Sequence, residues 1–228
     1  MEASLAALAP RLQLARPGPL VPVLPALQSL LPARGLQPGV AVAVTGGGTA
    51  LLLALAAAAT AAGTWCAAVG VQPGLVAAAE AGVDLDRMVA VDDPGPQWPA
   101  VAAALADGGV GLLLLRPPGP VHPAAAQKLI AIARRGGCAL LVAGEWPGSR
   151  VRLDVVSRSW EGVGHGRGRL RARRMTVSTG GRGAAARGAT TELWLPDAHG
   201  AIRAVEPIAP AGPGDRSPAA APRGLAVV

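Results

Sequence analysis

A glycine-rich turn at residues 45–49, Thr-Gly-Gly-Gly-Thr, comes nearest in this sequence to a phosphate-binding site. In a P-loop of pattern GxxxxGK[ST], backbone N–H groups hold the phosphates, the lysine contacts the β and γ oxygens, and the hydroxyl ligates Mg²⁺. The turn here is shorter and contains no lysine, although Thr49 could take the place of the magnesium ligand. We interpret Gly46, Gly47, Gly48 and Thr49 as a degenerate phosphate loop. The simpler alternative, which the sequence favours, is a tight turn that only joins a strand to a helix.

Other requirements of nucleotide chemistry are missing as well. A dinucleotide-binding turn needs a third glycine, which would stand at position 51, and an acid after the second strand, where the chain has Val69 and Gly70. An ATPase needs a carboxylate at the end of a buried apolar strand to hold magnesium. The apolar run 112–115 is instead followed by Arg116, a cation. The sequence therefore predicts a protein that is not an enzyme, hydrolyses no nucleoside triphosphate and holds no cofactor.

Cysteine and histidine are too few and too scattered for a metal site or a nucleophilic site. The two cysteines, Cys66 and Cys138, and the three histidines have no zinc-ligand spacing. Apolar residues surround both cysteines, which favours two buried thiols of a cytosolic protein, with a disulfide as the alternative. His165 lies between two glycines with no acid or nucleophile beside it, so we interpret it as a loop residue and not as a general base. The sequence predicts no metal and no catalytic residue.

Positive charge is concentrated in one part of the chain. The protein has 21 Lys+Arg and 14 Asp+Glu, a net charge of +7, and residues 150–187 alone contain ten arginines and two acids. In the run 166–174, alternate arginines would project from one face of a strand. This arginine cluster could neutralise the phosphates of a nucleic acid, bind an acidic protein surface, or only keep an edge strand in solution. The candidate contact residues are Arg167, Arg169, Arg171, Arg173 and Arg174.

Aromatic residues are scarce. Phe and Tyr are absent, and five Trp are the whole aromatic inventory. This composition disfavours a module that stacks bases on a Phe/Tyr platform. We expect Trp146, Trp160 and Trp194 to cap the core and not to stack on bases.

The elements that must position these residues alternate regularly. Short apolar runs without polar alternation are separated by helices of about 8–13 residues, a pattern typical of a parallel sheet covered on both faces. After Gly148 the pattern changes to strands joined by glycine-rich turns, which predicts an antiparallel part. The predicted parallel strands are 40–44, 65–69, 88–91, 112–115 and 138–142, the predicted helices are 50–62, 75–81, 98–106 and 123–135, and the predicted antiparallel strands are 151–156, 170–177 and 191–195.

Composition divides the chain into four parts. Residues 1–34 form a proline-rich N-terminal segment, and residues 35–148 form the α/β core. Residues 149–206 form a basic antiparallel extension of the same domain, and residues 207–228, rich in Pro, Ala and Gly, are expected to be a disordered tail. The apolar helix 50–62 is shorter than the ~20 residues that a membrane span requires. Because the N-terminus has no basic stretch before an apolar one, no secretory signal is expected, and we predict a cytoplasmic protein with no membrane contact.

Several segments resemble the cores of RecA-type recombinases. Residues 35–39, Gly-Leu-Gln-Pro-Gly, lead into the first strand as the family's GLPxG entry does, and residues 79–88, Ala-Glu-Ala-Gly-Val-Asp-Leu-Asp-Arg-Met, are similar to its LGVD segment. Residues 150–154 resemble the start of the family's late antiparallel strands. The resemblance implies an α/β fold with a RecA-like, mostly parallel sheet, flanking helices and a C-terminal antiparallel extension.

The resemblance covers residues 26–200 in order and spacing more than in identity, and it fails where the family's chemistry lies. The phosphate-loop lysine is missing, Arg116 stands in the place of the magnesium-binding acid, and Gly70 stands near the place of the catalytic Glu. The chain therefore resembles an ATPase-dead branch of the RecA-like superfamily.

Within that branch the chain resembles the actinobacterial ImuA′ group of mutasome proteins. The recurrent phrases lie at residues 65–67, 93–96, 115–120, 159–162 and 192–196. The resemblance implies a non-catalytic accessory protein of DNA-damage-induced (SOS) mutagenesis and translesion synthesis, associated with the nucleoid after damage. The implied partners are ImuB, a catalytically dead Y-family polymerase homologue, and an error-prone replicative-type polymerase, with single-stranded DNA or RecA as further candidates. Two alternatives stay open: a SulA-like inhibitor of cell division, and a protein that binds a nucleotide weakly at Thr49.

Overall fold

The computed structural model of the protein describes residues 19–164 and 167–205. In these two ranges the strands are β1 Ala41–Thr45, β2 Cys66–Val69, β3 Met88–Val91, β4 Leu112–Leu115, β5 Ala139–Ala143, β6 Val151–Gly164, β7 Arg167–Gly181, β8 Ala189–Trp194 and β9 Arg203–Ala204. The helices are α1 Thr49–Ala61, α2 Leu75–Glu80, α3 Trp98–Asp107 and α4 Pro123–Gly136. The strands form a nine-stranded sheet in the order β3-β2-β4-β5-β1-β6-β7-β8-β9.

The first five strands run parallel, and all of them except the edge strand β3 are covered on both faces. All four leucines of β4 are completely buried, because α1 packs on one face of the sheet and α3 and α4 pack on the other. Burial on both faces explains why these strands show no polar alternation in the sequence. The predicted mixed α/β fold is confirmed, and the helices and the parallel strands agree with their predicted bounds to within one residue at each end.

A segment before β1, residues 21–36, packs on the same face as α1. It contains the 3-10 helix Pro25–Leu30, in which Leu27 and Leu30 are completely buried. The backbone groups of Val21 and Leu36 exchange two hydrogen bonds of 2.9 Å. The part of the proline-rich segment that the structure describes is therefore packed on the core. Residues 1–18 of this segment lie outside the described residues.

The strand β6 corrects one prediction. The sequence predicts 151–156 as an antiparallel strand, but β6 pairs in parallel with β1 and antiparallel only with β7. The connection 144–150 returns from β5 to the start of β6 and buries Trp146 among residues of α3 and α4. A register shift between Val155 and Ser157 then breaks the alternation. The apolar pattern therefore stops near residue 156, although the strand continues to Gly164.

The strands β6 and β7 form a long two-stranded ribbon that carries most of the arginine cluster. Because β6 pairs with β1 only as far as Asp154, the rest of the ribbon extends past the parallel strands. β7 is longer than the predicted 170–177, and the short strand β9 was not predicted. The predicted loop residue His165 and the predicted tail 207–228 lie outside the described residues. None of the helices in the described ranges has both the length and the apolar character that crossing a membrane requires.

Candidate functional site

The turn between β1 and α1 has the position of a phosphate loop. β1 ends at Thr45, α1 begins at Thr49, and three glycines join them. Gly46 and Gly47 have φ angles of 73° and 77°, in the left-handed region that favours glycine. A Cβ on Gly46 would overlap the carbonyl oxygen of Val155 in β6. Gly46 is therefore required by the close contact between the turn and β6. A turn that only joins a strand to a helix would require the same glycine.

Arg116 lies directly beside this turn. Its backbone N–H donates to the Val69 carbonyl at 2.9 Å, which continues the pairing of β4 with β2 by one residue. Its guanidinium Nη2 donates to the Thr49 hydroxyl at 2.7 Å. The oxygen that could have ligated Mg²⁺ is thus hydrogen-bonded to a cation, and a divalent ion beside this guanidinium would be repelled. These residues do not fit a magnesium–nucleotide complex.

A second arginine, Arg158 of β6, also reaches the turn. Its Nη1 donates to the Gly47 carbonyl at 3.2 Å, across a separation of 111 residues. The nearby Asp154 accepts a hydrogen bond of 2.8 Å from the Thr45 hydroxyl. Arg158 is one of the ten arginines of residues 150–187, but it is not among the candidate contact residues, and the sequence did not indicate its place at the turn. No local signal could have placed it there, because the contact depends on the parallel pairing of β6 with β1.

The structure separates the predicted arginine cluster into groups with different surroundings. Arg169, Arg171 and Arg173 alternate along β7 and line the same groove. Arg174 points to the other face, where its guanidinium lies 5.5 Å from the Trp194 ring centroid and its Nε lies 3.4 Å from Glu192 Oε2. The side chain of Arg167 lies outside the described residues.

Arg173 is held by contacts within the ribbon. Its guanidinium lies over the Trp160 ring at 5.0 Å from the centroid, and its Nε donates to the Leu195 carbonyl at 2.6 Å. Burial, together with the charge of Arg158, lowers the pKa of Arg173. Arg173 and Arg174 therefore have structural partners of their own. Arg169 and Arg171 are exposed, and within the described part of the chain neither forms an ion pair.

The groove lies between the ribbon and the helices α1 and α2, and its volume is about 1080 Å³. Small apolar residues of the two helices form one wall, and arginines, Trp160 and Leu170 of the ribbon form the other. The segment 195–202 lines the groove between them. The main lining side chains are Ala50, Leu53, Ala77, Glu80, Ala81, Trp160, Arg169, Leu170, Arg171, Arg173, Leu195, Asp197, His199 and Ile202.

Asp197 shapes the segment that lines the groove between its two walls. Its side chain is only 5% exposed, it lies 2.6 Å from Arg203 Nε, and it accepts the N–H groups of His199 and Ala201 at 2.8 and 2.9 Å. The pKa of this carboxyl lies below its usual value, first because Ala201 donates a hydrogen bond to it. The hydrogen bond from His199 and the positive charge of Arg203 add to this effect, and burial opposes it. The negative charge of Asp197 is therefore already compensated inside the protein.

The cysteines take no part in a site. Cys66 in β2 and Cys138 before β5 are free thiols and completely buried, so the alternative of a disulfide is wrong. Burial raises the pKa of each thiol to about 12, and for Cys66 the neighbouring Cys138 adds to this effect. No group of three or more His, Cys, Asp or Glu side chains in ranges 19–164 and 167–205 could hold a metal ion.

Comparison with known proteins shows where the chain belongs. Residues 29–148, more than half of the chain, match the family described as the MT3502 N-terminal domain. The protein is a member of this family. The chain is also similar to the uncharacterized protein Rv3395c of Mycobacterium tuberculosis (strain ATCC 25618 / H37Rv). The two are 39% identical over an alignment of 178 residues, which covers 73% of this chain and 82% of the relative.

Solved structures show the fold of this family member. The RadB recombinase superposes with a TM-score of 0.53 at 18% identity, covering 80% of this chain and 97% of RadB. This likeness confirms the RecA-like fold that the sequence predicts. SulA from Pseudomonas aeruginosa matches 46% of this chain and 96% of its own at 15% identity, with a TM-score of 0.40.

Proposed function

We propose that this family member is a non-catalytic, RecA-like accessory protein of DNA-damage-induced mutagenesis and translesion synthesis. The proposal combines the resemblance to the ImuA′ group with the geometry of the turn at Thr49. Its proposed partners are an ImuB-like Y-family polymerase homologue and an error-prone replicative-type polymerase, with single-stranded DNA or RecA as further candidates. We also propose that it is cytoplasmic and associates with the nucleoid after damage.

The proposal that the protein is non-catalytic rests on the 2.7 Å hydrogen bond from Arg116 to Thr49. Phosphoryl transfer depends on Mg²⁺, held by the loop hydroxyl and a carboxylate, to neutralise the charge that develops on the phosphates. Here Arg116 stands at the position of the carboxylate, and its guanidinium donates a hydrogen bond to the Thr49 hydroxyl. The turn is too short for a P-loop and lacks the lysine. A RecA-like fold without these groups can still present surfaces to partners.

We expect ATP with Mg²⁺ to leave the melting temperature of the purified protein unchanged and to be hydrolysed at background rate. A ligand that binds only the native state at 100 times its Kd would stabilise the protein by about 2.7 kcal/mol. In a chain of this size, that free energy corresponds to a melting temperature about 5–10 °C higher. A magnesium-dependent shift of this size that is lost in Thr49→Ala would contradict the proposal.

One observation favours a second candidate, a protein that binds a nucleotide weakly without magnesium. Two guanidinium groups, of Arg116 and Arg158, lie at the turn and could contact phosphate oxygens. The same melting experiment with ATP and EDTA tests it, with each variant compared to its own ligand-free form. A shift that persists in EDTA and is lost in Arg158→Ala would favour this candidate.

The proposed partners call for a cellular test. From DNA-damaged cells of the native host, affinity capture of the protein should return the Y-family polymerase homologue and the error-prone polymerase, identified by mass spectrometry. Capture from undamaged cells is the control, because the proposed role is induced by damage. Recovery of a polymer-forming cell-division protein in place of the polymerases would contradict the proposal and favour the SulA-like alternative.

A further inference from the structure

The groove between the ribbon and the helices α1 and α2 has two chemically different walls. On the ribbon wall, Arg169 and Arg171 are exposed and have no ion-pair partner in the described ranges. Arg173 lines the same wall, where its guanidinium lies over the Trp160 ring. Three guanidinium groups thus lie on one side of the groove.

Acidic side chains do not balance this charge. Of the groove-lining residues, only Glu80 and Asp197 are acidic. Asp197 is nearly buried and paired with Arg203 at 2.6 Å, so it does not neutralise the ribbon. Glu80 lies on the opposite wall, at the end of α2. The groove therefore has an excess of positive charge that an acidic occupant would neutralise.

The helix wall is apolar and made of small side chains. Ala50 and Leu53 of α1, together with Ala77 and Ala81 at α2, line it. Ala77 is exposed, and Ala50 and Ala81 are half-buried, so their methyl groups remain accessible to an occupant. Small side chains let the backbone of an occupant approach closely, and burying this wall would remove apolar surface from water.

The groove is poorly suited to bases. Single strands bind proteins through aromatic rings on which successive bases stack. Trp160 and His199 are the lining residues that carry rings, and Arg173 covers one face of the Trp160 ring. The opposite wall offers alanine and leucine in place of rings. A polypeptide that carries acids on one side and apolar side chains on the other matches both walls.

We propose that this groove binds an acidic amphipathic segment of a partner protein, with its acids toward Arg169 and Arg171 and its apolar side toward Ala77 and Ala81. This inference rests on the proposed function, in that it names the chemistry by which an accessory protein would hold its partner. Of the three roles that the sequence allows for the arginine cluster, the proposal selects binding to an acidic protein surface.

The test uses the purified full chain and labelled synthetic peptides. The first peptide has about 15 residues, with glutamates on one helical face and leucines on the other. The second has the same composition in an order without an amphipathic face, and the third probe is an oligothymidine. Fluorescence anisotropy gives the affinity of each probe at the same salt concentration.

We expect the amphipathic peptide to bind at least about tenfold more tightly than its scrambled form. The double variant Arg169→Glu/Arg171→Glu should weaken that binding at least about tenfold, because the charge is reversed on the wall that faces the acids. The matched control Arg182→Glu/Arg187→Glu has the same net charge change outside the groove and should bind within about twofold of the parent.

A second variant pair keeps the test valid if the charge reversal disturbs folding. Ala77→Glu adds a negative charge to the apolar wall and should weaken the amphipathic peptide, whereas Ala77→Gln has similar size without the charge and should weaken it less. Equal binding of the two peptides, or unchanged binding by Arg169→Glu/Arg171→Glu, would overturn the inference. So would oligothymidine binding more tightly than the amphipathic peptide and being lost in the same variant, since that result identifies a nucleic-acid surface.

Failure of this inference can be distinguished from failure of the proposed function. If the peptide binds as expected and affinity capture returns no polymerase, the groove is supported and the proposed partners are wrong. If Arg169→Glu/Arg171→Glu captures the polymerases as well as the parent does, the groove is not their binding site and the inference is wrong.

Discussion

Replacing Leu141 by alanine should lower the free energy of unfolding by about 3–5 kcal/mol, which is a large part of the stability of an ordinary domain. Leu141 lies in β5, between Leu114 of β4 and Val42 of β1, and is completely buried. Its side chain belongs to the cluster that packs under α1. Truncation would remove buried apolar surface and leave a cavity that a sheet paired on both sides of β5 cannot close. Denaturant unfolding of the variant and the parent measures the difference.

The matched control is Leu75→Ala, which removes the same atoms from a side chain that is 62% exposed. It should change the free energy of unfolding by less than about 1 kcal/mol, because little apolar surface is lost from the interior. Equal losses in the two variants would contradict the core that the structure describes.

Cys66 and Cys138 should react with iodoacetamide at least about a thousandfold more slowly in the native protein than in the unfolded chain. The thiolate is the reacting species, and burial raises the pKa of both thiols to about 12. Both side chains are also completely buried, so the reagent has no direct access. Mass spectrometry at pH 8, with and without guanidinium chloride, counts the modified thiols over time.

An exposed thiol provides the control. Ser159 lies exposed on the ribbon, and the variant Ser159→Cys should acquire one fast-reacting thiol in the native state. Rapid native reaction of Cys66 or Cys138, or a protein mass that shows the loss of two hydrogens to a disulfide, would contradict the structure.

The raised pKa values of the same two thiols predict that the protein loses stability at alkaline pH. A pKa that is higher in the folded state than in the unfolded state means that the unfolded chain loses its protons first as the pH rises. The stability is therefore complete below the unfolded pKa near 9 and falls as the pH rises toward about 12. The decrease is at most roughly 1.4 kcal/mol per pH unit for each thiol. Denaturant unfolding of the parent and of a Cys66→Ala/Cys138→Ala variant between these pH values isolates this contribution.

Local patterns in the sequence predicted most of the fold. The leucine run 112–115, without polar alternation, indicated a strand covered on both faces, and the structure buries all four residues. The predicted helix 123–135 is observed as α4, which extends one residue further to Gly136. Such signals lie within a few residues of the element they describe, because helix and strand periodicities repeat over short distances. The pattern was lost in β6, where the register shift after Val155 interrupts the alternation.

The amino-acid sequence alone indicates the RecA-like α/β fold, the missing lysine and carboxylate of the phosphate loop, and the concentration of arginines in residues 150–187. The contacts that the arginines make, those of Arg116 included, follow from the tertiary structure. Arg116 meets Thr49 across 67 residues and Arg158 meets Gly47 across 111 residues. These contacts form because strands that lie side by side, or one strand apart, in the parallel part of the sheet come from distant parts of the chain. The same sheet directs Arg174 to the face opposite the groove and leaves Arg169 and Arg171 exposed within it. Strand order and register place these side chains, and neither is encoded in the local spacing of residues.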